Sequence, residues 1–181
     1  MPNIIILAGI PASGKTTYGR HLSEKMGLPF ISKDAIKEKL HDVLKYDSAE
    51  TMLYGKASYS VFYYITDCLM KAGTSFILES NFTAPTSTNI LQQMIDEHGY
   101  RAITVLFDAD VNVLKKRYID RDATDERHPG LRMNPEILKM HYTVDMEAYR
   151  NFCVGEKIVV DTNELEKLNY NEVDKKLGEY I

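Results

Sequence analysis

The chain has only two cysteines in 181 residues, Cys68 and Cys153, and they form no motif. That excludes a disulfide framework and fits buried thiols in a reducing cytoplasm. No apolar run is long enough to span a bilayer. The short N-terminal apolar stretch has no basic flank, so it does not read as a signal peptide. The five histidines show no metal-ligand spacing, and no repeat, low-complexity tract or linker interrupts the chain. Charge of one sign is not in excess: 22 Lys and Arg stand against 26 Asp and Glu, a net charge of −4. That argues against broad non-specific nucleic-acid binding. No asparagine is followed by lysine, so the guanine-reading N-K-x-D of GTPase switches is missing. Hydrophobic content of 44% and charged content of 27% are ordinary for one globular domain with a substantial core.

What is present is concentrated near the amino terminus. Gly9-Ile10-Pro11-Ala12-Ser13-Gly14-Lys15-Thr16 spells G-x-x-x-x-G-K-T, followed by Thr17. The bare pattern arises by chance in on the order of one in a hundred chains of this length, given average glycine usage. Here it follows the apolar run Ile4–Ala8 and opens into a helical segment, Thr16–Met26. Strand, glycine loop and helix start are the order a phosphate-binding P-loop needs. Such a loop turns its N–H groups into an anion nest, and the helix terminus adds partial positive charge. Lys15 is placed to reach the outer phosphates of ATP, and the Thr16 hydroxyl to ligate Mg²⁺.

Strand-like and helix-like segments alternate along the rest. Strands are expected at Asn3–Ala8, Pro29–Ser32, Ser75–Leu78, Ala102–Phe107 and Lys157–Val160. Helices are expected at Asp34–Leu44, Glu50–Ala72, Pro85–His98, Asp110–Asp120, after Asn134-Pro135, and at Glu164–Tyr180. In the long helix, Leu53, Ala57, Val61, Ile65 and Leu69 form a four-residue stripe. Five apolar strands separated by helices imply an α/β fold with a parallel sheet covered on both faces. Ligands then sit beyond the carboxyl ends of the strands.

That rule selects a few residues. Asp34 ends the second strand; it could take the proton of an acceptor hydroxyl, hold Mg²⁺ through water, or cap the helix. Lys37, one turn later, meets an anionic acceptor group or is solvated. Glu79 and Asn81 end the third strand, where they organise Mg²⁺ or the acceptor, or form a turn. Arg117 and Arg121 share a helix face, and Arg127 and Arg132 follow in a polar segment. Guanidiniums there would stabilise the γ-phosphate and close a lid, about 117–134, against water. Asp120, Asp122, Asp125 and Glu126 are also at hand to pair with these arginines. Tyr59, Phe62, Tyr63 and Tyr64 either stack on an acceptor ring or pack on the sheet.

Together these runs resemble a known group. Ile6–Thr17, Ile31-Ser32-Lys33-Asp34 with Lys37, Ile77-Leu78-Glu79-Ser80-Asn81, and Lys116-Arg117 with Arg121 look like the P-loop kinase domain of phage-type polynucleotide 5′-hydroxyl kinase. Its uncharacterised relatives are similar, and zeta toxins and chloramphenicol phosphotransferase more distantly so. The likeness runs to about Met140. It implies a three-layer P-loop NTPase fold with strand order 2-3-1-4-5 and a small helical lid. It implies ATP and Mg²⁺, with Gly9, Pro11–Thr17, Arg117 and Arg121 on the nucleotide. It implies that Lys15, Asp34 and Arg121 are catalytic, with Asp34 as general base. Lys37 falls where that kinase has a substrate-binding arginine, and Glu79 where it has an aspartate. Both differences lie on the acceptor side, which would comprise Asp34, Lys37, Glu79, Asn81 and Arg127. With the acidic net charge they favour a small hydroxyl-bearing molecule over a polynucleotide.

Overall fold

The computed structural model describes residues 1–44, 51–124, 127–143 and 146–180. Five parallel strands form one sheet: β1 (Asn3–Ala8), β2 (Phe30–Ser32), β3 (Phe76–Glu79), β4 (Arg101–Asp108) and β5 (Glu156–Asp161). Their order is β2-β3-β1-β4-β5, the P-loop order that the family resemblance implied. In the β1–β3 register Leu7 lies beside Glu79, which delivers the acidic residue to the P-loop edge.

Alternation along β1 explains the two cores. Ile4, Ile6 and Ala8 face one side, with Phe62, Met70, Leu91 and Ile95. These come from α3 (Thr51–Lys71) and α4 (Thr86–His98). Ile5 and Leu7 face the other side, with Tyr18, Leu22, Val173 and Leu177. Those belong to α1 (Lys15–Met26) and α8 (Tyr170–Gly178). Asp174 ties these two helices together: it accepts from Tyr18 Oη at 2.8 Å and Lys25 Nζ at 2.8 Å, and meets His21 Nε2 at 3.0 Å. A third cluster, Ile10, Leu114, Tyr118, Tyr142 and Tyr149, lies below the P-loop. It joins α5 (Val111–Asp122), α6 (Pro135–His141) and α7 (Met146–Arg150). Asn134 caps α6, its side chain accepting from the Ile137 N–H at 2.9 Å. α2 (Lys33–Leu44) packs on α3.

Three expectations are corrected. The buried file of α3 is Tyr54, Ser58, Phe62, Thr66 and Met70, one residue after the aliphatic stripe. Leu53 and Val61 of that stripe are exposed. Ser58 and Thr66 can be buried because their hydroxyls donate to the Gly55 and Phe62 carbonyls. The expected final helix is broken: Leu165–Lys167 is a 3₁₀ turn, Leu168 is extended, and Asn169 starts α8 afresh. Cys68 is exposed on the outer face of α3, and Cys153 lies outside any helix and is half-buried.

Candidate functional site

The P-loop runs from the end of β1 to the start of α1. Gly9 has φ 135°, and a Cβ there would stand 2.3 Å from the Phe107 carbonyl oxygen of β4. Only glycine fits so close to a neighbouring strand. Gly14, at φ 93°, precedes α1. Ala12 also takes a left-handed conformation, φ 66°. The first turn of α1 carries no acidic residue, so the positive end of its dipole is uncompensated. Tyr142 donates to the Pro11 carbonyl at 2.9 Å and holds the loop from below.

Lys15 is buried, and its ammonium donates to the Ile10 carbonyl at 2.9 Å and to Asn81 Oδ1 at 3.0 Å. Burial pulls its pKa below the usual lysine value, against the charges of Glu79 and Asp34. Asn81 thus positions the P-loop lysine.

The carboxylates differ in environment. Glu79 is buried and accepts from the Ser32 hydroxyl at 2.6 Å. Burial raises its pKa, though Lys15 opposes the shift. Asp34 is pushed up by burial as well, but the Lys33 ammonium 2.9 Å away, with help from Lys15 and Arg127, outweighs this and leaves it below the usual range. Its side chain keeps 37% of its surface exposed, so it stays an accessible anion. The two carboxyls are thus pushed in opposite directions, Glu79 up and Asp34 down.

Three cavities meet here. The first, about 450 Å³, is lined by Lys15, Thr16, Asp34, Glu79, Asn81 and Arg121. The second, about 560 Å³, holds Lys33, Lys37, Tyr59 and Tyr149. Asp34, Asn81, Arg127 and Leu131 line both and form the wall between them. The third, about 520 Å³, lies between Gly14, Thr17, Arg117, Arg121, Leu165 and Tyr170. Arg121 therefore borders the first and third cavities. Its Nε is buried without a hydrogen-bond partner, and so is Ser13 Oγ. Arg117 donates to the Thr162 carbonyl at 2.6 Å and the Asn163 carbonyl at 2.9 Å.

The described part of the polar segment after α5 forms a 3₁₀ turn, Pro129–Leu131, seated on α2. Gly130 rests on the buried His41 ring. The Gly130 N–H donates to His128 Nδ1 at 3.0 Å, so His128 Nε2 carries the proton that meets Asp42 Oδ1 at 3.1 Å. Arg127 is buried, 2.7 Å from Asp122 and 4.8 Å from the Tyr118 ring centre, and donates to the Leu131 carbonyl at 2.9 Å. Asp122 is thus the acid paired with it; Asp125 and Glu126 lie outside the described residues. Of the tyrosine-rich helix, Phe62 is core, Tyr64 is exposed, and Tyr59 faces the second cavity.

Lys15, Thr16, Asp34, Glu79, Asn81, Arg121 and Arg127 therefore converge from five segments of chain. Asp122 is among the acids expected at hand for these arginines, and it is the one paired with Arg127. Sequence reasoning missed the roles of Lys33 and Tyr142; Lys33 adjoins Asp34, which was a usable signal, and Tyr142 carried none.

The oxygen donors Thr16, Asp34 and Glu79 suit a hard cation such as Mg²⁺. Among the described residues no group of three or more His, Cys, Asp or Glu could hold a metal by itself. Among the described residues no helix is long and apolar enough to cross a membrane.

Comparison with known proteins places the chain at this point. The profile of the AAA_33 family, described as an AAA domain, matches residues 4–133, and the chain belongs to that family of P-loop proteins. A solved structure of a presumed kinase from Chloroflexus aurantiacus is 28% identical, covers 99% of this chain and 98% of its own, and superposes with a TM-score of 0.87. The L-seryl-tRNA(Sec) kinase of Methanococcus maripaludis is 25% identical over 94% of this chain. The shikimate kinase of Paracidovorax citrulli is 54% identical over a stretch of 35 residues, 19% of this chain. The chain spans 62% of the length of the first and 19% of the second.

Proposed function

We propose that the chain is an ATP-dependent kinase that moves the γ-phosphate of ATP to a hydroxyl of a small molecule. Family membership and relatives named as kinases support the reaction class. The observation that carries the rest is Asp34, which stands on the wall between the P-loop cavity and a second cavity. The second cavity has the volume of a small-ligand site, roughly 300–1,000 Å³. That favours a small acceptor over a polynucleotide.

In this reading the loop amides and Lys15 hold the outer phosphates. Thr16 would hold Mg²⁺, which would supply charge neutralisation at the phosphates. Asp34 orients the acceptor hydroxyl and takes its proton. The acceptor oxygen bonds to the γ-phosphorus, and the bridge to the β-phosphate breaks with its electron pair leaving on ADP. Arg121, which lines the P-loop cavity, would stabilise this charge, where one such donor is worth about 3 kcal/mol. The segment bearing Arg127 acts as a lid that excludes water.

The test is phosphoryl transfer from labelled ATP, with Mg²⁺, to a panel of sugars, nucleosides, hydroxy acids and 5′-hydroxyl oligonucleotides. Transfer to a small hydroxyl compound is expected. Transfer to oligonucleotides alone overturns the small-molecule reading. ATP binding without transfer to any of them would make the chain a regulatory nucleotide-binding module.

A further inference from the structure

Packing leaves an apolar face open at the β2 edge of the sheet, where β2 pairs with β3 alone. A groove of about 560 Å³ runs there between α2 and α3. Ile36, Leu40, Val43 and Leu44 line it from α2, and Val61 and Ile65 from α3. Val61 and Ile65 belong to the aliphatic stripe that the sequence marks for burial, yet the core takes the neighbouring file. Val43 keeps 78% of its surface exposed, Leu44 53%, Leu53 59% and Tyr64 69%. Asp34, Lys37 and Glu38 line the first two cavities, so the apolar side of α2 is distinct from the side that serves the site.

Area and charge together select what covers this face. With large apolar side chains offering on the order of 100–200 Å² each, the exposed fractions and the groove present roughly 500 Å² of apolar surface. Interfaces are about 56–65% apolar, so this corresponds to about 800 Å² per partner, the standard size for a stable complex. Among the described residues Lys39 is the one charged group lining the groove, and Asp42 neutralises it at 3.0 Å. A nucleic acid or a charged peptide finds no unpaired charge in it. A second copy of the chain brings the same neutral, apolar surface. The face also combines a recess with highly exposed side chains. Two copies about a twofold axis can therefore set the exposed side chains of each against the groove of the other.

We propose that the protein forms a symmetric homodimer through the α2–α3 face, with Val43 and Val61 near its centre. The dimer goes beyond the kinase reading and does not depend on it.

Sedimentation velocity tests it on the full chain over roughly 1–200 µM, a range that brackets micromolar affinity. Wild-type protein is expected to reach twice the 20.7 kDa chain mass at the upper end. Val61→Asp and Val43→Asp bring like charges together across the twofold axis, and each should raise the dimer Kd at least about tenfold. Both side chains face water in the single chain, so the fold is expected to survive, and thermal unfolding checks this. Val159→Asp, exposed on the opposite edge of the sheet, should dimerise as wild type does.

A wild type that stays monomeric at the top of the range overturns the proposal and leaves the face to a different partner. So does a dimer that Val61→Asp and Val43→Asp both leave intact, or one that Val159→Asp alone disrupts. If the first two variants fail to fold, hydrogen exchange on wild type decides. Residues 35–44 and 52–65 should exchange more slowly at high protein concentration than at low, and equal protection overturns the proposal.

Discussion

The Lys33 ammonium lies 2.9 Å from the Asp34 carboxylate and 5.0 Å from the centre of the Tyr59 ring. Adjacent residues at the mouth of a helix thus form an ion pair, with the cation packed on an aromatic face. The pair keeps Asp34 ionised while leaving its second oxygen available. In the proposed reaction Asp34 would orient the acceptor hydroxyl, with its charge present throughout the neutral range.

Lys33→Met tests this directly. Without the ammonium, the pKa of Asp34 rises, because burial already pushes it up and its main opposing charge is gone. The acidic limb of the kcat/KM profile should move to higher pH. An unmoved limb would show that another group controls it. Asp34→Asn should lower transfer by about 10²–10⁴-fold, while the ATP dissociation constant stays within a few-fold of wild type.

Lys15→Ala should lower turnover by roughly 10²–10³-fold, the loss typical of one well-placed charge-stabilising donor. The variant also removes the partner of Asn81 and of the Ile10 carbonyl. A labelled-ATP transfer assay at saturating nucleotide checks it; wild-type turnover would remove Lys15 from the site.

Gly130→Ala should loosen the turn that sits on α2. The added Cβ would stand 2.4 Å from the His41 ring, which is itself buried against Tyr54. Overpacking of this kind costs about 1–3 kcal/mol, and each kcal/mol lowers Tm by about 2–4 °C in a chain of this size. Thermal unfolding measures it, and an unchanged Tm would mean that the turn does not stay seated in solution.

Asp174→Asn should destabilise the α1–α8 contact by about 1–3 kcal/mol at neutral pH, because it weakens the acceptor of buried Tyr18 and removes the charge facing Lys25. Burial pushes the Asp174 pKa up, but bonds from Lys25, His21 and Tyr18 win and hold it below the ordinary 3.8. A group lowered in the folded state adds stability above its unfolded value. That contribution is lost as pH falls through the folded value. The Tm gap between variant and wild type should therefore close below pH of about 4; a gap independent of pH would point to packing alone.

The strands and the P-loop were readable because each rests on local pattern: an apolar run, spaced glycines, a helix start; the strand order came from the family resemblance and not from pattern. Asn134 likewise announced α6 with Pro135 behind it. The face of α3 was misread because Ser58 and Thr66 look polar, yet satisfy themselves within the helix. The break at Leu168 was hidden because the residues around it carry no glycine or proline. At the site, the residues reaching the ligand edge were legible from strand ends. Their partners were less so: Asp122 was one of four acids at hand for Arg127, and Tyr142 meets Pro11 from 131 residues away, a pairing that leaves no trace in spacing.

α2 carries Asp34 and Lys37 near its start and receives Gly130 on His41 and His128 on Asp42 near its end. One helix thus carries Asp34 at its head and, at its tail, seats the turn that contributes Leu131 to the wall between the two cavities. A glycine lying against an imidazole therefore fixes how that wall closes on the carboxylate.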